Sequence, residues 1–102
     1  MASRLNLQDE LEVMMDSKNV YFQPPESVRF KYPACTYKKS SGALKHADNF
    51  PYFFRTRYKV QIIDRDPDAD WVQKMLNTFK YVAVESEFVA DNLNHWNFTI
   101  YY

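Results

Sequence analysis

The fold is decided by a strand and a helix within Phe54-Arg-Thr-Arg-Tyr-Lys-Val-Gln-Ile-Ile63, Asp64-Arg-Asp-Pro-Asp-Ala-Asp70 and Trp71-Val-Gln-Lys-Met-Leu-Asn-Thr-Phe79. Alternation with period two in the first part predicts a β-strand over 54–63. The residues expected to face the core are Phe54, Thr56, Tyr58, Val60 and Ile62. Those expected to face solvent or a partner are Arg55, Arg57, Lys59 and Gln61. From Trp71 the apolar residues follow helical spacing, which predicts a helix over 71–79.

The same two periodicities predict the other elements. A stripe of apolar residues predicts a helix over 7–16, namely Leu7, Leu11, Met14 and Met15. Further strands are predicted over 20–23, 27–38, 81–89 and 95–102. The resulting order, α-β-β-β-α-β-β, predicts an α+β fold. We expect a mainly antiparallel sheet of about five strands with two helices on one face.

For two of these strands, alternation predicts which residues share a face of the sheet. In strand 27–38, alternation sets Val28, Phe30, Tyr32 and Ala34 against Arg29, Lys31, Pro33 and Cys35. Pro33 cannot donate a ladder hydrogen bond, so this strand should lie at an edge or be interrupted there. In strand 81–89, alternation sets Val82, Val84, Ser86 and Phe88 against Tyr81, Ala83, Glu85 and Glu87.

Composition limits the class of protein. With 102 residues, the chain is expected to form a single domain over 1–102, and 46% hydrophobic residues indicate a globular one. Thirteen basic and thirteen acidic residues give zero net charge, so no domain-wide attraction to nucleic acid or an anionic membrane is indicated. Eight Tyr and eight Phe exceed what so small a core would hide, so we expect some on a surface that another chain covers.

No combination of residues predicts a catalytic or metal site. The single cysteine, Cys35, excludes an internal disulfide and fits a reducing cytoplasm, where we expect it to be a packing residue. His46 and His95 lack ligand-spaced partners and are interpreted as structural or interface residues. No apolar run reaches membrane-spanning length, and the first residues lack a secretory signal. We therefore predict no enzyme activity, no cofactor and no membrane association.

The acidic residues 64–70 are spaced like the ligands of a calcium-binding loop. Ala69 and Met75, however, stand where such a loop needs Gly and Glu. The favoured interpretation is that Asp66 or Asp68 caps the following helix, with Pro67 in its first turn. A weak surface metal site is the alternative.

The basic strand face of Arg55, Arg57 and Lys59 is the nearest approach to a nucleic-acid surface. We favour a solvated face, or one that pairs with Glu85 and Glu87 within or between chains. A nucleic-acid-binding module that uses this basic and aromatic sheet face is the alternative hypothesis.

Several motifs spread over nearly the whole chain carry a family resemblance. They are Tyr21-Phe22-Gln23-Pro24-Pro25, Tyr32-Pro33-Ala34, Arg57-Tyr58, Ile63-Asp64-Arg65-Asp66-Pro67-Asp68, Ala90-Asp91-Asn92-Leu93-Asn94-His95-Trp96 and Tyr101-Tyr102. Together they resemble the tail terminator, or tail-completion, family of tailed-bacteriophage structural proteins. The predicted order of helices and strands is similar to the α/β fold of that family.

The resemblance implies a homohexameric ring at the head-proximal end of the tail, which ends tube growth and joins tail to head. The implied partners are other copies of the chain, the tail tube protein and a head-completion or connector protein. DNA would pass through the lumen without specific binding. The implied location is the tail or neck of the virion, after assembly in the cytoplasm of the host bacterium.

If the ring exists, it needs two different subunit faces, and the sequence offers candidates for both. The basic candidates are Arg55, Arg57 and Lys59, and the acidic ones are Asp64, Asp66, Asp68, Glu85 and Glu87. Tyr101 and Tyr102 are further candidates for a subunit contact. The loop over 39–53 would reach an adjacent ring or line the lumen, with the candidates Lys38, Lys39, Lys45, His46 and Asp48.

Overall fold

The computed structural model describes residues 4–25, 29–40 and 56–102, and in these it contains two helices and five strands. In chain order they are α1 (Arg4–Met15), β1 (Val20–Phe22), β2 (Ala34–Lys39), β3 (Arg57–Asp64), α2 (Trp71–Thr78), β4 (Val82–Ala90) and β5 (Leu93–Tyr101). The order α-β-β-β-α-β-β and the α+β class are therefore confirmed.

The strands form one five-stranded sheet in the order β1-β2-β3-β5-β4. The β1 strand runs parallel to β2, and the other neighbouring pairs are antiparallel. The central strand, β3, pairs with β5 along its whole length, from Arg57 opposite Tyr101 to Asp64 opposite Asn94. Asp91 and Asn92 join β4 to β5 with positive φ angles of 54° and 63°, which suits the tight turn of a twisted hairpin.

Both helices cover the same face of the sheet. The helical residues that pack into the core are Leu7, Leu11, Met14, Met15, Trp71 and Met75. The strand residues beneath them include Cys35, Tyr37, Tyr58, Val60, Ile62, Trp96, Phe98 and Ile100. The predicted inward direction of Tyr58, Val60 and Ile62 is thus confirmed, because all three are buried. The other face, with Arg57, Lys59 and Gln61, carries neither helix, and we call it the open face.

The strand predicted to begin at Ser27 begins at Ala34, directly after Pro33. The predicted interruption at Pro33 is confirmed, since proline has no backbone N–H to donate to the ladder. Cys35 and Tyr37 belong to the core under the helices. Thr36 and Lys38 therefore lie on the open face.

The predicted faces of β4 are correct as far as Glu85 and wrong from Ser86 onward, because the register shifts between Val84 and Ser86. Before the shift Val84 lies opposite Phe98, and after it Glu87 lies opposite Trp96, so both occupy the helical side. Glu85 is the extra residue at this β-bulge, and a bulge reverses the alternation that follows it. Strict period two cannot detect such an insertion.

We predict that Leu11→Ala lowers the free energy of unfolding by about 2–5 kcal/mol, because it leaves a cavity in the core. Val13→Ala on the same helix is the matched control, because Val13 is 80% exposed whereas Leu11 is 0% exposed. The control should change stability by less than about 0.5 kcal/mol. Urea unfolding of both variants measures the difference, and equal losses would contradict this packing of α1.

Candidate interaction site on the open face and free edge

The two edges of the sheet differ in how well they are covered. The edge strand β1 has three residues and is followed by Gln23, Pro24 and Pro25. The side chain of Gln8 on α1 donates a hydrogen bond to the carbonyl of Val20, with Nε2 and O 3.0 Å apart. Shortness, proline and a covering helix are ordinary protections of an edge strand against further pairing.

The β4 edge is longer and more open. It has nine residues, of which 83–89 are all exposed. In the part of the chain that the structure describes, β4 pairs with β5 on one side only. Phe88 is 43% exposed and Val89 is 69% exposed. The outer side of β4 therefore presents backbone hydrogen-bonding groups beside apolar side chains, as edges that accept another chain do.

Side-chain hydrogen bonds cross the open face and hold the bulged part of β4. Gln61 Nε2 donates to Asn97 Oδ1 over 2.9 Å, and Asn97 Nδ2 donates to Ser86 Oγ over 2.9 Å. Thr99 Oγ1 donates to Glu85 Oε1 over 2.7 Å. Because Thr99 is itself buried, the Glu85 carboxylate has a defined position on the open face.

A groove of about 700 Å³ lies on the open face beside β2 and β3. Its polar lining includes Lys38, Lys39, Lys59, Thr36 and Gln61, and its apolar lining includes Pro24, Pro25 and Phe30. We call it the basic groove. It is a concave site that combines several cations with an aromatic ring.

The lysines of the basic groove repel one another. Lys38 and Lys59 are direct cross-strand partners, and like charges in that arrangement are destabilising. Among the described residues, the ion pairs are Lys18 with Glu12 and Lys74 with Asp70. No described carboxylate therefore neutralises the groove, and its chemistry suits an anionic partner.

The sequence-predicted basic and acidic residues occupy unexpected relative positions. Arg57 lies on the open face, where its Nε and Nη2 donate to Ser40 Oγ over 3.1 and 2.8 Å. Lys59 lines the groove, and Glu85 lies on the same open face near β5. Glu87 is on the opposite side of β4, opposite Trp96. The bulge thus gives β4 one carboxylate on each of its two sides.

The interpretation that Asp66 or Asp68 caps α2 is wrong. The helix begins at Trp71 after Asp70, whose side chain makes no capping hydrogen bond. Asp64 Oδ1 accepts from the backbone N–H of Asp66 over 3.2 Å, and Asp66 Oδ1 accepts from that of Asp68 over 2.9 Å. These carboxylates form Asx turns with the residue two positions on, which compete with helix capping. Pro67 accordingly lies before the helix.

The other sequence-predicted candidates lie in several places. Tyr101 is on the open face opposite Arg57. Tyr102 contacts α1 and the end of α2: its hydroxyl donates to Glu10, and its ring centroid is 6.2 Å from that of Phe79, the residue after α2. Lys38 and Lys39 belong to β2. Four candidates, Arg55, Lys45, His46 and Asp48, lie outside the described residues.

Two rings stack beside the bulge. The Phe88 and His95 ring centroids are 4.6 Å apart and their planes differ by 3°. Nδ1 of His95 is buried without a hydrogen-bond partner among the described residues. The stack fixes one side of the Phe88 ring while the residue remains partly exposed on the β4 edge.

Sequence reasoning missed the basic groove because it assigned Lys38 to strand 27–38 and Lys39 to the following loop. Both belong to β2, and Lys38 pairs with Lys59. The alternation of Cys35 and Tyr37 with Thr36 and Lys38 is a signal that could have placed Lys38 on the open face. The contributions of Pro24, Pro25 and Phe30 depend on the path between β1 and β2, for which the sequence gives no period.

The chain matches no known protein-family model, no curated protein and no solved structure. Neither helix in the described parts has the length and apolar character needed to cross a membrane. Within those parts, no three His, Cys, Asp or Glu side chains come together in a way that could hold a metal ion.

Cys35 is buried in the core, and burial raises the pKa of its thiol from 9.0 to about 12. Above pH 9 the unfolded chain releases this proton while the folded chain keeps it, so the thiol contribution to stability falls as pH rises toward 12. Burial also raises the pKa of Tyr37 and of Tyr58, which act in the same direction.

We predict that the stability difference between the wild type and Cys35→Ala narrows by about 1.4 kcal/mol per pH unit above pH 9. Comparison with the variant removes most of the tyrosine contribution, because burial is the largest cause of the raised pKa values of Tyr37 and Tyr58 and both tyrosines are present in the two proteins. Urea unfolding at about pH 8 and about pH 11 gives the measurement. A difference that stays constant over this range would contradict a thiol that remains protonated in the folded core.

We predict that Asp64→Ala lowers the free energy of unfolding by about 1–3 kcal/mol, because it removes two acceptors. Asp64 Oδ2 accepts from Trp71 Nε1 over 2.8 Å, and Trp71 is buried. Asp68→Ala is the control, because Asp68 is exposed, and it should change stability by less than about 0.5 kcal/mol. Thermal and urea unfolding of the two variants test the contrast, which equal effects would refute.

Proposed function

We propose that this chain is a structural subunit that assembles with copies of itself into a ring at the head-proximal end of a phage tail. The ring ends growth of the tail tube and joins tail to head. The motif resemblance supports the phage assignment. The observation that supports self-assembly is that one subunit has both a long exposed strand edge, β4, and a separate basic groove.

A ring needs a heterologous contact, in which two different surfaces of one subunit meet those of its neighbours. The β4 edge carries Glu85 and Glu87, and the groove carries Lys38 and Lys59. The groove lies along β2 and β3, and β5 separates β3 from β4 in the sheet. The two surfaces are thus distinct and opposite in charge, which would give subunits a preferred register.

The resemblance implies both the number of subunits in the ring and the neighbours of the ring. Six copies form the ring, the tail tube protein contacts one face and a head-completion or connector protein contacts the other. DNA passes through the lumen without specific binding, which agrees with the zero net charge of the chain. The site of action is the neck of the virion.

A nucleic-acid-binding module is the second candidate function. The observation in its favour is that Phe30 lines the groove beside lysines and also contacts the ring of Tyr21, with centroids 5.0 Å apart. Aromatic rings next to cations are the usual means of holding single-stranded bases. This candidate uses the same groove with a different occupant.

Native mass spectrometry and sedimentation of the purified chain over a wide concentration range test self-assembly. We predict oligomers whose mass corresponds to six copies and whose population rises with concentration. Addition of purified tail tubes should shift the equilibrium toward the ring. A strictly monomeric chain at the highest concentration, without association with tubes, would refute the proposal.

Titration with single-stranded and duplex DNA at low salt distinguishes the second candidate. The assembly proposal predicts weak binding to both forms. Tight binding whose logarithm falls steeply with the logarithm of salt concentration would instead favour nucleic acid as the natural partner.

A further inference from the structure

We infer that neighbouring copies join by placing the β4 edge of one subunit in the basic groove of the next. This inference rests on the proposed function, because it names the contact by which self-assembly occurs. The occupant of the groove is thus a second copy of the same chain.

The charges on the two surfaces match. The bulge at Glu85 turns that carboxylate toward the open face, while Glu87 lies on the other side of β4. A strand edge that enters a groove presents both of its sides to the groove lining. Both carboxylates could therefore reach lysines, and their arrival would relieve the repulsion between Lys38 and Lys59.

The apolar parts of the two surfaces also match. Phe88 and Val89 follow the two glutamates on β4 and are substantially exposed. Pro24, Pro25 and Phe30 form the apolar lining of the groove beside its lysines. Contact between these sets would remove apolar area from water, which favours association. Aromatic rings at the centre of an interface are common contributors to its affinity.

A symmetric contact between two β4 edges fits these residues less well. In an antiparallel pairing centred on Ser86, Glu85 of one copy would lie opposite Glu87 of the other. Like charges directly opposite each other destabilise a strand pair, and the bulge interrupts the ladder that such a pair needs. The β1 edge is no better a partner, because Pro24, Pro25 and α1 limit access to it. The groove is the surface that complements β4.

Two charge-reversal variants test the contact. The edge variant is Glu85→Lys/Glu87→Lys, and the groove variant is Lys38→Glu/Lys59→Glu. Each variant alone would bring like charges together, so we expect its self-association to weaken by at least about tenfold. In an equimolar mixture, the basic edge of one variant meets the acidic groove of the other, and the reverse contact is also complementary. The mixture should therefore assemble with the two variants alternating.

Matched controls carry the same change in net charge at other exposed positions. They are Asp9→Lys/Asp16→Lys for the edge variant and Lys18→Glu/Lys80→Glu for the groove variant, and both should assemble like the wild type. Far-UV circular dichroism and thermal unfolding establish that each variant is folded. The replacement of Glu85 removes one hydrogen bond to Thr99, so the edge variant is also made as Glu87→Lys alone.

Native mass spectrometry of the single and mixed samples gives the result. Assembly by the mixture, but not by either variant alone, supports the contact. Unchanged assembly of both variants alone overturns the contact but leaves self-assembly standing. Failure of the mixture, where the wild type assembles, also overturns it. A wild type that stays monomeric overturns the proposed function itself. In that case, if the wild type binds DNA and Lys38→Glu/Lys59→Glu does not, nucleic acid is the occupant of the groove.

Discussion

Burial of one side of β3 under two helices is the constraint on which the rest of the structure depends. Tyr58, Val60 and Ile62 point into the core, and each buried side chain of this size contributes about 1.5–3 kcal/mol. With those residues fixed, Arg57, Lys59 and Gln61 must point the other way, because the alternation is set by the backbone. The open face is therefore a direct consequence of the core.

Because β3 lies between β2 and β5, the directions of its side chains also determine which side chains of these neighbouring strands lie on the open face. On one side β2 brings Lys38 opposite Lys59, which creates the basic groove. On the other side β5 carries Asn97 and Thr99, whose side chains bind Ser86 and Glu85 of β4. The same strand thus organises a cationic surface and, through its neighbour, an anionic edge. We propose that the chain uses this polarity to join copies of itself.

The spacing of apolar residues in the sequence was sufficient to predict the helices and the side-chain directions of regular strands. Helical spacing located α1 and α2, and alternation gave the direction of each side chain in β3 between Arg57 and Ile62. It failed where a single residue changes the phase, as Glu85 does in β4, since a bulge leaves no mark in composition. It also failed at Asp66, which could bind either the helix terminus or a nearby backbone N–H. Local geometry decides between those two.

The candidate site was only partly predictable for a related reason. Lys59, Glu85 and Glu87 were recognised from their charge, but their relative positions depend on which strands are neighbours. In the sheet order β1-β2-β3-β5-β4, the last strand of the chain, β5, lies between β3 and β4. No local pattern in the sequence contains that information. Phe30 and Pro24 join the groove through the chain path between β1 and β2. Such a path has no periodicity to reveal it.

Backbone hydrogen exchange of residues 82–90, compared between the dissociated and the assembled protein, shows whether β4 forms the contact between subunits. If the β4 edge lies in the groove of a neighbouring copy, exchange of its outward amides will slow on assembly, together with that of residues 36–39. If assembly leaves exchange in 82–90 unchanged while other segments become protected, the subunits meet elsewhere and β4 does not form the contact.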